Sequence, residues 1–309
     1  MILDKPRSNL VLAPQLIAEI AAKNPMHSVF VGRALAGLAP DEMDRFEQYL
    51  CFCAGNGTSI DYIAESYLTV VQDTIAEQMY FFRHGRYRHS TFEQVAEFVY
   101  NNSDYMNRYM YGLVITAFLW PNHVEMARFF AGHLPRDRRG AYLEIGPGHG
   151  YYMMTAVSQS SYDDFTGVDI SQASVAQTGA LIRFFTPDAV SKVSLYHCDF
   201  LVAETLPRAS FDAIVMGEVL EHVESPELFL GRIAELARPG AFIYVTTCIN
   251  APAIDHIYLW RTVEELESVI VRSGLEIERD LRLPHDGATL EQAMTQKLSI
   301  NVAYVLRKP

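Results

Sequence analysis

From residue 140 onward the chain alternates between short apolar runs and amphipathic segments, and this alternation constrains its fold more than any other feature. The apolar runs are AYLEIG, DFTGVDI, VSLYHC, FDAIVMG and AFIYVTT, each short enough to be a strand. Parallel strands require long crossover connections, and the segments between these runs have the length and period of helices. The last two runs, LEIERDLRL and SINVAYVLR, lack a long helix between them, which indicates an antiparallel final pair. The sequence therefore predicts a doubly wound α/β domain over residues 136–309, with a mostly parallel sheet.

Residues 1–135 follow a different pattern, in which apolar side chains recur every three or four positions. The segment TSIDYIAESYLTVVQDTIAEQMYFF predicts one long helix with a single apolar face. That face comprises Ile60, Ile63, Tyr67, Val71, Ile75, Met79 and Phe82. Thr58 with Asp61 gives a capping signal at its start. Other helices are predicted at about 10–23, 41–53, 91–100, 103–119 and 122–133. We therefore expect an all-helical N-terminal domain, joined to the α/β domain by the polar segment RDRRG at 136–140.

Composition and charge disfavour several functional classes. The formal net charge of -12 argues against nucleic-acid binding, because such a surface repels a phosphate backbone. The longest apolar run, YMYGLVITAFLW, is too short to span a bilayer, and the first residues show no signal-peptide pattern. The four cysteines have neither disulfide-framework nor metal-site spacing, and we interpret them as buried free thiols. We therefore expect a cytoplasmic protein with no metal site, no nucleic-acid partner and no membrane partner.

A glycine-rich turn joins the first strand of the α/β domain to its first helix. In YLEIGPGHGYYMM, Gly146, Gly148 and Gly150 line the turn that follows Glu144. Glycine permits positive φ and close approach of a ligand, and the free N–H groups at a helix start attract negatively charged groups. Asp169 ends the second strand, where a carboxylate can accept both hydroxyl groups of a ribose. These features predict a nucleoside-containing cofactor but are shared by several classes of nucleotide-binding protein.

The combined pattern Glu144-x-Gly146-x-Gly148-x-Gly150 resembles motif I of class I S-adenosylmethionine-dependent methyltransferases. The acid Asp169, the segment HCDF and the stretch FDAIVMGEVLEHVESPELFLGRIAELARPGAFIYVTT follow in that family's order. The resemblance covers about residues 140–309 and implies a Rossmann-like, seven-stranded sheet whose last strand is inserted antiparallel. It also implies S-adenosyl-L-methionine as the cofactor.

The resemblance further implies which residues bind that cofactor. Glu144, Gly146 and Gly148 would lie near its methionine part, and Asp169 would bind the ribose. The remaining candidates are Pro147 and His149 in variable places of the motif, Ile170 after the ribose acid, Asp199 and Phe200 at adenine, and Glu218 and Val219 beside the sulfonium.

Catalytic candidates come from the loop CINAPAIDHIYLW, which in this fold overhangs the methyl group. In-line displacement at a sulfonium relies largely on positioning and exclusion of water, although an alcohol acceptor also requires a base. The polar candidates are Asn250, Asp255 and His256, with His256 as a general base that Asp255 would orient; a purely structural histidine is the alternative. His123 is a further catalytic candidate. Tyr80 and Tyr109 are candidates from the aromatic residues of the helical half, some of which we expect to line a pocket facing the sulfonium. Glu221 and His222 are expected mostly to support the fold.

Several functional hypotheses stay open at this point. The leading one is a methyltransferase that acts on a small molecule of specialised metabolism, with the helical domain capping the cofactor. A second follows from similarity in layout to azetidine-2-carboxylate synthases, in which the amino group of S-adenosylmethionine attacks its own γ-carbon and methylthioadenosine is released. The helical domain could instead serve only dimerisation, giving a homodimer, and the chain could bind the cofactor without turnover.

Overall fold

The computed structural model describes residues 10–100 and 102–309. Its strands are β1 (Ala141–Ile145), β2 (Asp164–Asp169), β3 (Val193–His197), β4 (Phe211–Gly217), β5 (Ala237–Ile249), β6 (Glu276–Pro284) and β7 (Ile300–Arg307). They form one seven-stranded sheet in the order β3-β2-β1-β4-β5-β7-β6, and β7 runs antiparallel to both neighbours. The predicted fold class is confirmed, including the inserted antiparallel last strand. Residues 1–9, on which the signal-peptide expectation depends, lie outside the described residues.

The α-helices precede the sheet or connect its strands. They are α1 (Leu12–Lys23), α2 (Ser28–Ala36), α3 (Pro40–Gly55), α4 (Ile60–His84), α5 (Phe92–Val95), α6 (Ser103–Leu119), α7 (Pro121–His133), α8 (Tyr151–Gln159), α9 (Gln172–Phe185), α10 (Pro226–Leu236), α11 (Val263–Arg272) and α12 (Leu290–Gln296). A π-helical turn, Ala96–Tyr100, follows α5. The six predicted N-terminal helices are present, whereas α2 was not predicted.

Side chains in register across the sheet form its core. Leu143 of β1 pairs with Ile214 of β4, Ile214 with Ile243 of β5, and Ile243 with Leu306 of β7. All four are fully buried, and each contributes roughly 1.5–3 kcal/mol of hydrophobic stabilisation. A one-residue slip would move the whole row to the other face, so this row fixes the register. The carboxyl ends of β1 and β4 therefore lie side by side.

The described residues form two compact units that are discontinuous in sequence. One contains residues 10–72 and 107–125, and the other contains residues 73–106 and 126–309 with the entire sheet. The domain boundary expected at residue 135 stays a prediction. No helix among the described residues has both the length and the apolar composition needed to cross a membrane.

The apolar stripe predicted along α4 is only half buried. Its first members, Ile60, Ile63, Tyr67 and Val71, are buried, whereas Ile75, Met79 and Phe82 are 50–59% exposed. The change coincides with the end of the first compact unit at Gln72, beyond which the buried side chains of α4 include Glu77 and Phe81 instead. The predicted single face is therefore wrong for the second half of the helix.

Two smaller expectations for the helical region also need correction. Tyr62 N–H donates a hydrogen bond to Ser59 Oγ at 3.1 Å, so Ser59 rather than Thr58 caps α4. The cysteines are free thiols as expected, but Cys51 is exposed. Buried thiols therefore account for only part of the cysteine set.

Candidate functional site

The candidate site lies at the carboxyl edge of the sheet, between β1 and β4. The strand order runs outward from β1 through β2 to β3 on one side, and from β4 through β5 on the other. Crossover helices leave in opposite directions at such a reversal, and ligands of open α/β sheets bind in the crevice that this creates. Glu144 on β1 and Glu218 directly after β4 are at this position.

The glycine turn has the backbone geometry that its sequence predicts. Gly146, Gly148 and Gly150 all have positive φ, at 62°, 55° and 81°. Gly146 N–H donates to Val168 O at 2.8 Å, and a Cβ on Gly146 would lie 2.8 Å from Val219 Cγ2. Gly150 is the left-handed residue that begins α8. The turn therefore keeps main-chain atoms uncovered at the site, as a closely approaching ligand requires.

Asp169, the predicted ribose-binding acid, is attached to this turn. Its Oδ2 accepts the Gly148 N–H at 3.0 Å, and its Oδ1 accepts the Ser171 N–H at 2.8 Å. The side chain is 8% exposed, and burial raises its pKa while these N–H groups oppose the rise. Each carboxylate oxygen has a second lone pair, so Asp169 can still accept two ligand hydroxyl groups.

Glu144 and His149 are both shifted toward their neutral forms. Glu144 is 1% exposed, its Oε2 accepts the Tyr142 hydroxyl at 2.5 Å, and burial raises its pKa to about 8. Burial lowers the pKa of His149 to about 4, and Tyr151 N–H donates to its Nδ1 at 3.3 Å. The turn therefore lies beside two polar groups, Glu144 and His149, whose charged forms are disfavoured.

Two non-glycine residues take left-handed backbone conformations where β4 and β5 end. Glu218 has φ 52°, and its N–H donates to Thr246 O at 3.1 Å and Thr246 Oγ1 at 3.0 Å. Asn250 has φ 48°, with its N–H on Trp260 O at 3.1 Å and its Nδ2 on Arg261 O at 3.3 Å. Such conformations cost about 1–3 kcal/mol and cluster at functional sites.

The loop after β5 places His256 and Asp255 beside groups from elsewhere in the same unit. His256 Nδ1 donates to Ala251 O at 2.6 Å, and its ring lies 4.8 Å from the ring of His222. Burial, followed by the nearby His222, lowers the pKa of His256 to about 4. Asp255 Oδ2 accepts the Tyr100 hydroxyl at 3.4 Å and lies 3.4 Å from His222 Nδ1. The main-chain carbonyl of Ala251 therefore holds His256 Nδ1, and orientation of His256 by Asp255 stays a prediction.

The other catalytic candidates lie elsewhere. His123 and Tyr109 belong to the first compact unit, where His123 Nδ1 is 2.9 Å from Thr116 Oγ1. Tyr80 stacks against Arg88, whose guanidinium carbon is 4.4 Å from its ring centroid, and against His84 at 4.2 Å. The catalytic roles of His123, Tyr109 and Tyr80 stay predictions.

The residues expected at adenine divide into two groups. Phe200 is 4% exposed and packs in the core against Phe229 at 5.5 Å, so its ring belongs to the protein interior. Asp199 is exposed, and its Oδ1 accepts the Leu201 N–H at 2.8 Å. Ile170 is 49% exposed directly after Asp169. Asp199 and Ile170 therefore remain available to an adenine ring.

Sequence reasoning missed the part of His222 and Tyr100 in this site. His222 ends a 3-10 turn, Leu220–His222, and Tyr100 ends the π-helical turn. Burial and the neighbouring Asp255 raise the pKa of the Tyr100 hydroxyl well above its ordinary value. The sequence indicates a fold-supporting role for His222 and a place in the aromatic set for Tyr100, but no local spacing shows that both meet Asp255.

Comparison with known proteins agrees with this geometry. Residues 143–243 match a family model described as a methyltransferase domain. The chain is similar to the ubiquinone biosynthesis O-methyltransferase of Rhizobium johnstonii, with 28% identity over 130 residues that cover 35% of this chain and 52% of that protein. The chain thus spans about half the length of the curated relatives it matches.

Two solved structures are similar to the chain over most of its length. Geranyl diphosphate C-methyltransferase from Streptomyces coelicolor matches with a TM-score of 0.51 and 14% identity, over 73% of this chain and 92% of that one. Phosphoethanolamine N-methyltransferase 2 from Haemonchus contortus matches with a TM-score of 0.51 and 15% identity, over 72% and 61%. At such identities the likeness shows the fold, which is the Rossmann-like methyltransferase fold.

Proposed function

We propose that the chain binds S-adenosyl-L-methionine at the carboxyl edge of its sheet and transfers the methyl group to a small molecule. The observation that carries the proposal is the Asp169 carboxylate, which is fixed by the N–H groups of Gly148 and Ser171 beside the glycine turn. This arrangement joins a ribose acceptor to uncovered main chain at the point where the strand order reverses.

The residues present fit this cofactor. Gly146 lets the turn pack against Val219, since a Cβ there would meet Val219 Cγ2 at 2.8 Å, and its positive φ is a conformation that glycine adopts without strain. Glu218 is buried at its Oε1, which has no hydrogen-bond partner within the described residues. A buried carboxyl oxygen that can still accept a hydrogen bond suits a ligand that carries an ammonium group. When bound, S-adenosylmethionine supplies an electrophilic methyl group.

The chain's own residues would position the acceptor and exclude water. Tyr100, His222, Asp255 and His256 form a polar and aromatic group after β4 and β5, all within one compact unit. The left-handed conformation of Asn250 directs the loop that carries two of them. Rigid placement of this kind can supply much of the rate of an in-line displacement.

A small-molecule acceptor is supported by the names of similar proteins and by charge. The proteins above are named for O-, C- and N-methylation, and two of them for the small molecules geranyl diphosphate and phosphoethanolamine, so we propose the substrate size but not the acceptor atom. The net charge of -12 disfavours a nucleic-acid acceptor. We retain specialised metabolism and a cytoplasmic location as proposals.

Aromatic packing around His256 favours a second candidate function, intramolecular cyclisation. The ring of Tyr87 lies 5.9 Å from His256 and that of His222 4.8 Å from it, which suits a closed site. S-adenosylmethionine would then be the substrate. Its neutral amino nitrogen would form a bond to the γ-carbon, the carbon–sulfur bond would break with its electron pair going to sulfur, and the ring nitrogen would lose a proton. The products would be azetidine-2-carboxylate and methylthioadenosine.

Calorimetric binding tests the cofactor proposal. We expect S-adenosylmethionine and S-adenosylhomocysteine to bind and NAD not to bind. Asp169→Asn should weaken binding of both sulfur nucleosides by about 10- to 100-fold, because a charge-assisted hydrogen bond contributes about 1.5–3 kcal/mol. The matched control is Asp188→Asn, which alters an exposed acid and should bind normally. Binding of NAD with no heat from either sulfur nucleoside would overturn the proposal.

Product analysis distinguishes the two candidate reactions. The protein is incubated with S-adenosylmethionine alone and then with candidate acceptors. Enzyme-dependent release of methylthioadenosine together with an equal amount of azetidine-2-carboxylate, without an acceptor, establishes cyclisation as the main activity. Release of S-adenosylhomocysteine that depends on an added acceptor establishes methyl transfer.

A further inference from the structure

A cluster of potential metal ligands lies where the segments after β4 and β5 meet. His222 Nδ1 is 3.4 Å from Asp255 Oδ2, and the rings of His222 and His256 are 4.8 Å apart at 90°. One ligand atom from each of these three residues lies within 4.8 Å of the other two. Two histidines and one carboxylate are a common ligand set for divalent transition metals.

The spacing between His222 and Asp255 suits a shared ion. Two ligands at about 2.1 Å from one tetrahedral metal are about 3.4 Å apart. The distance between His222 Nδ1 and Asp255 Oδ2 is 3.4 Å. The same nitrogen lies 3.1 Å from the main-chain oxygen of Asp255, so the alternative is a hydrogen-bonded cluster in which His222 donates to Asp255.

One of the two histidines, His256, has a hydrogen-bond partner for the ring nitrogen that would not bind the metal. His256 Nδ1 donates to Ala251 O at 2.6 Å, which leaves its Nε2 with a lone pair. With Nδ1 of His222 on the metal, its Nε2 faces Glu221 Oε1 at 4.0 Å. A metal-bound histidine usually donates its second nitrogen to a carbonyl or carboxylate oxygen, as His256 does, whereas His222 Nε2 and Glu221 Oε1 are too far apart for a hydrogen bond.

Glu221 supplies a second, independent observation. Its side chain is fully buried, and its Oε2 accepts the Thr247 hydroxyl at 2.7 Å. Its Oε1 has no hydrogen-bond partner within residues 10–100 and 102–309, and it is the atom directed at His222. A buried carboxylate oxygen without a partner is costly, and a divalent cation on the adjacent imidazole would reduce that cost.

We propose that His222, Asp255 and His256 bind one divalent transition-metal ion, with Glu221 as the carboxylate that orients His222. Imidazole ligands favour Zn²⁺, Fe²⁺ or Ni²⁺ over Mg²⁺ and Ca²⁺, which prefer oxygen, and the carboxylate also permits Mn²⁺. Three protein ligands leave a coordination position open to water or to an oxygen of a substrate. This site was not predicted from the sequence, because its ligands are not arranged in any metal-binding spacing.

Direct metal binding tests the proposal without any nucleoside, so its outcome is independent of the proposed reaction. Untagged protein is stripped with a chelator and titrated with Zn²⁺ and Mn²⁺ by calorimetry. We expect one ion per chain, with affinity at least 100-fold lower in His222→Ala and in His256→Ala and about 10-fold lower in Asp255→Asn. The control is His285→Ala, which alters an exposed histidine and should retain full affinity.

Spectroscopy of the wild-type protein keeps the test valid if a variant fails to fold. Co²⁺ bound by two imidazoles and a carboxylate should give visible absorption without a thiolate charge-transfer band. Such a band, abolished in Cys248→Ser, would overturn the ligand set in favour of Glu221, Cys248 and His256, which also lie within 4.8 Å of one another. Absence of stoichiometric binding of any of the tested ions, or full binding by folded His222→Ala/His256→Ala protein, would establish the hydrogen-bonded cluster instead.

Discussion

Replacing Gly150 with alanine tests whether the glycine turn is built as the structure indicates. Gly150 has φ 81°, a conformation that costs an alanine about 1–2 kcal/mol. A Cβ there would lie 3.0 Å from Thr178 Oγ1 and 3.1 Å from both the Cγ2 and the main-chain α-carbon of Thr178. That α-carbon belongs to the backbone of α9 and cannot move by itself, so overpacking adds at least about 1 kcal/mol. We expect Gly150→Ala to lower the free energy of unfolding by about 2–4 kcal/mol.

The same substitution should weaken cofactor binding. Thr178 Oγ1 donates to Gly148 O at 2.9 Å, so displacing Thr178 moves the turn that holds the Asp169 carboxylate. Chemical denaturation measures the stability, and calorimetry with S-adenosylhomocysteine measures the affinity. The control is Gly231→Ala in α10, where no atom lies within 4 Å of the added methyl group and we expect a gain of about 0.5–1 kcal/mol.

Two results would refute this reasoning. One is a Gly150→Ala protein within about 0.5 kcal/mol of the wild type, since that would mean the positive φ at this position costs nothing. The other would come from adding Thr178→Ser to the Gly150→Ala protein. This second substitution removes the Cγ2 methyl group of Thr178 but leaves the backbone of α9 equally close to the Cβ of Ala at position 150. We expect it to restore only part of the loss, and complete restoration would show that the close approach of α9 is not what requires glycine.

Three further substitutions test other parts of the fold. Glu144 has a pKa of about 8 in the folded protein against 4.5 ordinarily, so the free energy of unfolding should fall by up to about 1.4 kcal/mol per pH unit as pH rises between these values. Glu144→Gln should remove this pH dependence, which denaturation curves measured across the same pH range will show. The same pH dependence in the variant and the wild type would contradict the raised pKa. Glu47→Gln should destabilise the first unit by about 2–4 kcal/mol, because the buried carboxylate accepts hydrogen bonds from three main-chain N–H groups at the start of α1, at 2.7–2.9 Å. An unchanged denaturation midpoint would show that the negative charge of Glu47 is unnecessary. Gly112 of α6 packs closely against α4, where an added Cβ would clash with the main-chain oxygen of Ser66, so Gly112→Ala should lower the melting temperature by several degrees. A melting temperature equal to that of the wild type would disprove this close packing.

Local patterns predicted the sheet and the turn well, for physical reasons. Each glycine of the turn is required by a positive φ that can be inferred from one strand–helix junction. The inner strands are short apolar runs because both faces of the sheet are covered there, as in β7, which is buried from Ile300 to Leu306. Such requirements act within a few residues of the chain, so a single sequence is enough to show them.

Patterns failed where burial depends on what another part of the chain supplies. The stripe on α4 continues to Phe82, yet Phe82 is 59% exposed while the adjacent Phe81 is 2% exposed. Periodicity states that a helix has an apolar face but not how far along the helix that face is covered. The helix α2 was missed because its nine residues include Gly32 and two valines, which have weak helix propensity.

The site after β5 was predicted by residue type but not by arrangement. The sequence indicates His256 and Asp255, yet the groups that contact them come from Tyr100, Ala251 and His222. Tyr100 and Asp255 are 155 residues apart, and only the folded sheet brings them together. Long-range contacts of this kind leave no local spacing for a sequence to display.

The backbone at the ends of β4 and β5 supports the proposal that this arrangement serves a function. The two loops are joined by hydrogen bonds from Ile257 and Tyr258 N–H to Glu221 O, at 2.9 and 3.0 Å, so the segments carrying His222 and His256 are held together by main chain. Glu218 and Asn250 reverse the strands into these loops in a conformation that glycine would adopt without strain. Glycine at both positions would stabilise the backbone, but it would remove a buried carboxylate and a buried amide from the site. Strained polar residues at both strand ends therefore support the proposed site, because backbone strain of this kind is concentrated at functional sites.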